Sequence, residues 1–134
     1  MALPIVRDFM DTVVPTVPPE MAILDAVDFL LANHVTGAPV VDPDGTLLGM
    51  VTEKDCLRLL SMGVDGDRVA GTVREYMTTQ TDWVSPDMNV YFVAGLFLGA
   101  NFRRFPVVEN GKLVGAITRF DILRSIRKAL AKEK

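Results

Sequence analysis

The chain repeats itself, and this internal repeat limits what it can fold into more than any other feature. The segment VRDFM at 6–10 returns as VREYM at 73–77, and PVV at 39–41 returns at 106–108. The halves keep an offset of 67 until the turns VDPDGTL and VENGKL, where the second half is one residue shorter. A period of this length, present twice, predicts two similar subdomains and not a solenoid of short repeats.

Each half carries the same order of signals: strand, helix, strand, strand, helix. A short β-branched stretch, 12–17 or 81–84, runs into Pro and an acidic residue, which is typical of a helix start. Two apolar runs around an Asp/Asn/Gly turn then predict a β-hairpin, and an amphipathic helix closes each half. The sequence thus predicts an α+β fold of two β-α-β-β-α units. The predicted closing helices are about 53–62 and 119–132, and the predicted units are 1–62 and 73–134, with a linker at 63–72.

Composition and charge narrow the class of protein. With 134 residues, 49% hydrophobic and 23% charged, the chain has the composition of a globular domain with a real core. A net charge of −3 disfavours nucleic-acid binding through a broad basic surface. The N-terminus lacks the apolar stretch of a signal peptide, and the longest apolar run, 90–100, is too short to span a membrane. We therefore expect a cytoplasmic protein without a nucleic-acid or membrane partner.

Catalytic chemistry is not expected from this sequence. There is one histidine, His34, and one cysteine, Cys56, which also excludes an intrachain disulfide. His34 stands at the predicted end of a helix, and Cys56 lies among the apolar residues of another helix. We therefore expect a helix-end residue and a core thiol, no enzyme and no metal site. No phosphate-binding glycine loop of a known pattern appears either.

A Thr-x-x-Asp motif follows the hairpin in each half, at Thr52 with Asp55 and at Thr118 with Asp121. After a strand and before a helix, this spacing is first that of an N-cap with an acid in the first turn. The same geometry also suits a nucleotide. The helix start attracts anions and the Thr hydroxyl can donate to phosphate, while a carboxylate accepts from a ribose diol. The motif alone leaves both interpretations open.

The motif belongs to a longer pattern: Pro-Val-Val, a turn, Gly-x-Leu-x-Gly, two apolar residues, Thr-x-x-Asp. It reads PVVDPDGTLLGMVTEKDCL in one half and PVVENGKLVGAITRFDIL in the other. This resembles the cystathionine β-synthase (CBS) domain, and two such units in tandem resemble a CBS pair, or Bateman module, over essentially the whole chain. The resemblance implies pseudo-symmetric units packed through their sheets. It also implies a regulatory sensor that needs no cofactor and binds AMP, ADP, ATP or S-adenosylmethionine in the cleft between the units.

The resemblance also implies which residues line the two sites. In the family the Asp holds the ribose hydroxyls and the Thr lies near the phosphates, while each site draws on both units. The positions that match are Thr52, Asp55, Thr118 and Asp121 for the motifs, Val35, Thr36, Phe102 and Arg103 before PVV, Val14, Pro15, Thr81 and Asp82 in the first strands, and Met50 and Ala116 in the hairpins. Asp121 would then share a site with Val14, Pro15 and Thr36. We favour the site with Asp121 and Arg103, because Asp82 adds negative charge beside Asp55.

Two alternatives to a ligand sensor remain. The helix at 87–101 is apolar on nearly every face, which favours association, so we expect a homodimer, and a ligand-free dimerisation scaffold is the main alternative. The partner protein that the module regulates is not encoded here. A basic C-terminal helix that binds nucleic acid or a membrane is the weaker alternative. Cations in a last helical turn are favoured by the helix dipole in any case, so they do not indicate such a partner. We further expect VRDFM and VREYM, the two lead-ins, to pack each against its own repeat.

Overall fold

The structure is a computed structural model, and it describes residues 3–61, 70–100 and 103–131. It contains helices and two small sheets, which confirms the α+β fold class. The helices are α1 (Ile23–Asn33), α2 (Glu53–Ser61), α3 (Val73–Tyr76), α4 (Val90–Leu98) and α5 (Arg119–Ala131). The strands are β1 (Gly37–Val41), β2 (Leu47–Thr52), β3 (Arg104–Glu109) and β4 (Lys112–Thr118). None of the helices in these ranges is long and apolar enough to cross a membrane.

The chain forms two compact units, and these do not coincide with the two sequence repeats. The continuous unit is Pro15–Thr81, and the discontinuous unit joins Met1–Val14 to Asp82–Lys134. Each lead-in packs with the other repeat: Val6 is buried in the core of the discontinuous unit, and Val73 in the core of the continuous one. The expectation that each lead-in packs against its own repeat is therefore wrong.

Hydrogen bonds explain why the lead-ins are held where they are. The Val6 amide donates to the Met88 carbonyl at 2.9 Å, and the Val73 amide donates to the Met21 carbonyl at 2.8 Å. Each short lead-in thus pairs with the segment just before a long helix, while its valine fills the core below. Two nearly identical lead-ins fit either place, so their sequences alone did not decide between the two. Most of the predicted linker, residues 63–69 of 63–72, lies outside the described residues.

The two predicted hairpins are confirmed, and local turn chemistry accounts for both. Strand β1 pairs antiparallel with β2 and β3 with β4, each with a bulge before the second Val of PVV. The shorter turn has Asn110 at φ 54° and Gly111 at φ 79°, the pair of positive φ values that a tight two-residue hairpin requires. In the longer turn the Asp42 carboxylate accepts from the amides of Asp44 and Thr46, both at 2.9 Å.

The predicted first strands, 12–17 and 81–84, are much shorter in the structure. Each is reduced to one parallel bridge, Val17 with Val40 and Val84 with Val107. The Val17 amide donates to the Pro39 carbonyl at 3.0 Å, and Val17 accepts from the Val41 amide at 3.1 Å. Prolines next to these segments lack an amide donor, which limits how far a ladder can extend.

The helix ends follow the expected signals. Helix α1 ends at His34, which adopts the left-handed conformation at φ 54°, so the prediction of a helix-end histidine is confirmed. Helix α4 is shorter than the predicted 87–101 and begins after Asn89, whose side chain accepts from the Phe92 amide at 2.9 Å. Helices α2 and α5 begin at the predicted residues. In each unit the hairpin and its helices enclose an apolar core centred on the PVV strand.

Candidate functional site

Both units place the Thr-x-x-Asp motif at the same junction, where the second hairpin strand ends and a helix begins. The Asp55 carboxylate accepts from the Thr52 amide at 2.8 Å, and the Asp55 amide donates back to the Thr52 hydroxyl at 3.4 Å. In the other unit the corresponding distances for Thr118 and Asp121 are 2.8 and 3.2 Å. The capping interpretation is therefore confirmed for both copies, and any ligand role must be added to it.

In the continuous unit, the Asp55 carboxylate is buried and surrounded by donors. Only 1% of its side chain is exposed. Besides the Thr52 amide, it accepts from the hydroxyls of Thr52 and Thr78, both at 3.0 Å, and Arg58 lies 3.6 Å away. A carboxylate has about four acceptor positions, so this group has little capacity left for a ribose diol.

In the discontinuous unit, the Asp121 carboxylate is more open. Its side chain is 13% exposed, and Arg124, which forms an ion pair with it, is itself 62% exposed. The position that Thr78 occupies in the other unit is taken here by Asp11, because both residues directly follow a lead-in and both bridge to the second hairpin strand. A carboxylate has no hydrogen to donate, so Asp11 cannot supply the bond that Thr78 gives to Asp55.

Arg104 is a candidate binding residue that the sequence analysis missed. It lies directly opposite Thr118 in the β3–β4 pair, and directly opposite residues point to the same face of a sheet. Its Nη2 atom is 3.9 Å from the Asp11 carboxylate, and its Nε is a buried atom with no hydrogen-bond partner among the described residues. The signal in the sequence was that Arg104 takes the position of Gly37 in the other repeat.

The residues predicted before PVV have different surroundings. Arg103 is exposed and precedes β3, so Arg104 and not Arg103 is in register with the motif. Thr36 is exposed, and its carbonyl accepts from the Glu53 amide at 2.8 Å, which places Thr36 at the start of α2. Val35 is half-buried against the core of the continuous unit. Phe102 lies outside the described residues.

The other predicted positions are divided between the two units. Met50 bridges to Thr78, which donates to Asp55, and Ala116 bridges to Asp11. Val14 belongs to the discontinuous unit together with Asp82, whereas Pro15 and Thr81 belong to the continuous unit. The sharing of one site by both repeats stays a prediction.

Cys56 and His34 have the structural positions that the sequence analysis expected. Cys56 is buried at 8% exposure, so its placement in the core is confirmed. Burial raises the pKa of the Cys56 thiol, and the neighbouring Asp55 charge raises it further. At neutral pH the thiol is therefore protonated and a poor nucleophile. Within the described residues, no three His, Cys, Asp or Glu side chains lie close enough together to hold a metal ion.

Comparison with known proteins agrees with this architecture. The sequence profile of the CBS domain matches residues 6–62 and again residues 73–128. The chain belongs to the CBS-domain family, and it carries the domain twice. CBS domain-containing protein YhcV of Bacillus subtilis is 34% identical over 118 residues, which cover 87% of this chain and 81% of YhcV.

Two further relatives are a longer protein and a protein whose crystal structure contains AMP. Protein MJ1225 of Methanocaldococcus jannaschii is 33% identical over 119 residues, which cover 89% of this chain but only 41% of MJ1225. The crystal structure of CBSX2 of Arabidopsis thaliana in complex with AMP has 33% sequence identity and a TM-score of 0.78. That comparison covers 98% of this chain and 99% of the crystallised CBSX2 chain, whereas the sequence match covers 57% of full-length CBSX2.

Proposed function

We propose that this chain is a regulatory module that binds an adenosine-containing ligand at the Thr118–Asp121 motif of the discontinuous unit. The observation that carries the proposal is the contrast between the two carboxylates. Asp121 is partly open, whereas Asp55 is buried and saturated with donors. The ligand class, AMP, ADP, ATP or S-adenosylmethionine, is supported by the similarity to CBSX2, which was crystallised with AMP.

The residues around Asp121 have the chemistry that a nucleoside phosphate requires. Asp121 is an acceptor for the two ribose hydroxyls, once it releases the exposed side chain of Arg124. Because the Arg124 side chain is 62% exposed, water can solvate its guanidinium when the pair is broken. The start of a helix attracts anions, as α5 does here, and the guanidinium of Arg104 can bind a phosphate through paired hydrogen bonds.

As a regulator, the module responds to its ligand by a shift between conformations. A ligand that binds one arrangement of the chain more tightly raises the population of that arrangement. In this proposal the chain is cytoplasmic and non-catalytic, needs no cofactor, and passes the signal to an effector protein whose identity the chain does not encode. Within MJ1225 the matching region is less than half of the protein.

Thermal unfolding with and without AMP, ATP or S-adenosylmethionine tests the proposal. At 100 times its dissociation constant, a ligand stabilises the folded state by about 2.7 kcal/mol. Asp121→Ala should lose the ligand-induced rise in melting temperature. Asp55→Asn, which keeps the shape of the buried side chain, should retain it. No rise with any of the three compounds at millimolar concentration would overturn the proposal.

A homodimer is the second candidate, and the exposed face of α4 favours it. Tyr91 is 41% exposed, Phe92 55% and Leu98 91%, although the opposite face of the same helix lies in the core. Exposed apolar surface of this kind is typical of association. Sedimentation velocity should give a dimer that Phe92→Glu converts to a monomer. Leu31→Glu on α1, also at an exposed leucine, is the matched control and should leave the dimer intact.

A further inference from the structure

We propose that Asp11 is a built-in competitor for Arg104, and that it sets how strongly the Asp121 site prefers a phosphorylated adenosine ligand over adenosine itself. This inference rests on the proposed function, because it concerns the same site. It assigns a specificity-determining role to a residue that neither the repeat pattern nor the family motif marks.

Backbone bonds fix Asp11 in place. Its amide donates to the Ala116 carbonyl and its carbonyl accepts from the Ala116 amide, both at 2.9 Å. The neighbouring Gly115 allows this close approach, because a Cβ there would lie 2.6 Å from the Asp11 carbonyl oxygen. One carboxylate oxygen of Asp11 accepts from the Val13 amide at 3.0 Å. The other oxygen is the one that faces Arg104.

The pair of Asp11 and Arg104 is loose enough to be displaced. The two charged atoms are 3.9 Å apart, beyond hydrogen-bond distance, and the side chains are 56% and 32% exposed. The buried Nε of Arg104 has no hydrogen-bond partner among the described residues. A phosphate offers several oxygens to the guanidinium at once, which a single distant carboxylate does not. Phosphate can therefore replace Asp11, but it binds against the repulsion of the Asp11 charge.

The continuous unit has neither a carboxylate at the position of Asp11 nor a guanidinium at the position of Arg104. At the same bridge it has Thr78, whose hydroxyl donates to Asp55 at 3.0 Å. Opposite Thr52, where Arg104 would stand, it has Gly37. The competition between a carboxylate and a phosphate for one guanidinium is thus a feature of the discontinuous unit, and it makes the two CBS repeats unequal.

Titration calorimetry of AMP and adenosine with the Asp11→Asn variant tests the inference. Asparagine keeps the acceptor for the Val13 amide but removes the charge. The dissociation constant for AMP should fall about fivefold at low ionic strength, while that for adenosine should change less than about twofold. Asp8→Asn is the matched control, because Asp8 is an exposed acid of the same lead-in, and it should leave the ratio of the two constants unchanged.

A second variant connects the effect to Arg104. In an Arg104→Gln background, Asp11→Asn should bring a smaller gain for AMP, because only the direct repulsion between Asp11 and the phosphate remains to be relieved. If Asp11→Asn does not fold, Asp11→Thr removes the same charge with the residue that the other unit uses. A threonine hydroxyl there would donate to Asp121 and change the binding of AMP and adenosine alike. The ratio of the two dissociation constants would therefore still measure the effect of removing the charge.

The outcomes separate the two proposals. If the unaltered protein binds AMP but Asp11→Asn leaves the ratio of AMP to adenosine affinity unchanged, the competition is refuted and the proposed function stands. A gain for AMP that is undiminished in the Arg104→Gln background also refutes it. If neither the unaltered protein nor the variant binds AMP at millimolar concentration, the inference fails, and if ATP and S-adenosylmethionine also fail to bind, the proposed function fails with it.

Discussion

The continuous and discontinuous units differ most at the residue that follows each lead-in, Thr78 in one and Asp11 in the other. The backbone is the same at both places: a two-way bridge to the second hairpin strand, next to a glycine that allows close approach. The Thr78 hydroxyl donates to Asp55, so the motif in the continuous unit has a buried carboxylate with a structural role. Asp11 cannot do so, and Asp121 stays partly open. One side chain thus separates a buried, fully hydrogen-bonded carboxylate from a partly open one.

The largest expected effect comes from removing the buried carboxylate of Asp55. Asp55→Ala leaves buried donors on Thr52 and Thr78 without a partner, so it should lower the free energy of unfolding by about 3 kcal/mol. Asp121→Ala removes a more exposed group and should cost about 1 kcal/mol. Urea unfolding measures both variants. Equal losses would mean that the two carboxylates contribute equally to stability, which contradicts the difference inferred between the two units.

Both units hold the residue after the lead-in next to a glycine, and substitutions at these two glycines test this shared feature. A Cβ at Gly49 would lie 2.5 Å from the Thr78 carbonyl oxygen, and one at Gly115 would lie 2.6 Å from that of Asp11. Both Gly→Ala variants should therefore lose a similar amount, about 2 kcal/mol by overpacking, in urea unfolding. Gly95→Ala is the control, since open space surrounds this helical position, and it should gain about 0.5–1 kcal/mol. A large loss at only one of Gly49 and Gly115 would show that the lead-ins are held differently.

A smaller difference is expected at the two residues that follow the lead-ins. Thr78→Val keeps the shape of the side chain but removes the donor to Asp55, so it should cost about 1–1.5 kcal/mol of unfolding free energy. Asp11→Ala, at an exposed residue, should stay within about 0.5 kcal/mol of the unaltered protein. Chemical unfolding at one pH compares them. A larger loss of unfolding free energy for Asp11→Ala than for Thr78→Val would mean that Asp11, and not Thr78, has the structural role.

The smallest effect is expected at the arginines of the two lead-ins. Arg7 pairs with Glu109 at 2.6 Å and Asp87 at 3.3 Å, whereas Arg74 pairs with Glu20 at 2.9 Å. The hydrogen bond to Glu109 and then that to Asp87 raise the pKa of Arg7. Arg7→Gln should therefore lower the melting temperature slightly more than Arg74→Gln, and high salt should remove the difference. A difference that survives 1 M salt would require a cause other than these exposed pairs.

Local chemistry made much of this fold predictable. The turn residues specified both hairpins, and apolar spacing specified α2, α4 and α5 to within a few residues. The exchange of the lead-ins was not predictable, because VRDFM and VREYM carry the same apolar pattern and only packing with distant residues separates them. The place of Arg104 opposite Thr118 was not predictable either, because strand register is set by pairing and a difference of one position decides which of two neighbouring arginines lies there.

The discontinuous unit also has a consequence for the order of events during synthesis. Every residue that fills the core of Pro15–Thr81 has left the ribosome soon after Thr81 is added. The core that contains Val6 also needs Val84, Val90 and Ile122. At about 5–20 residues per second, the first lead-in waits roughly 6–23 s for the last of these partners. The beginning of the chain is thus among the last parts to reach its final place, and its apolar side chains stay exposed to other proteins throughout that interval.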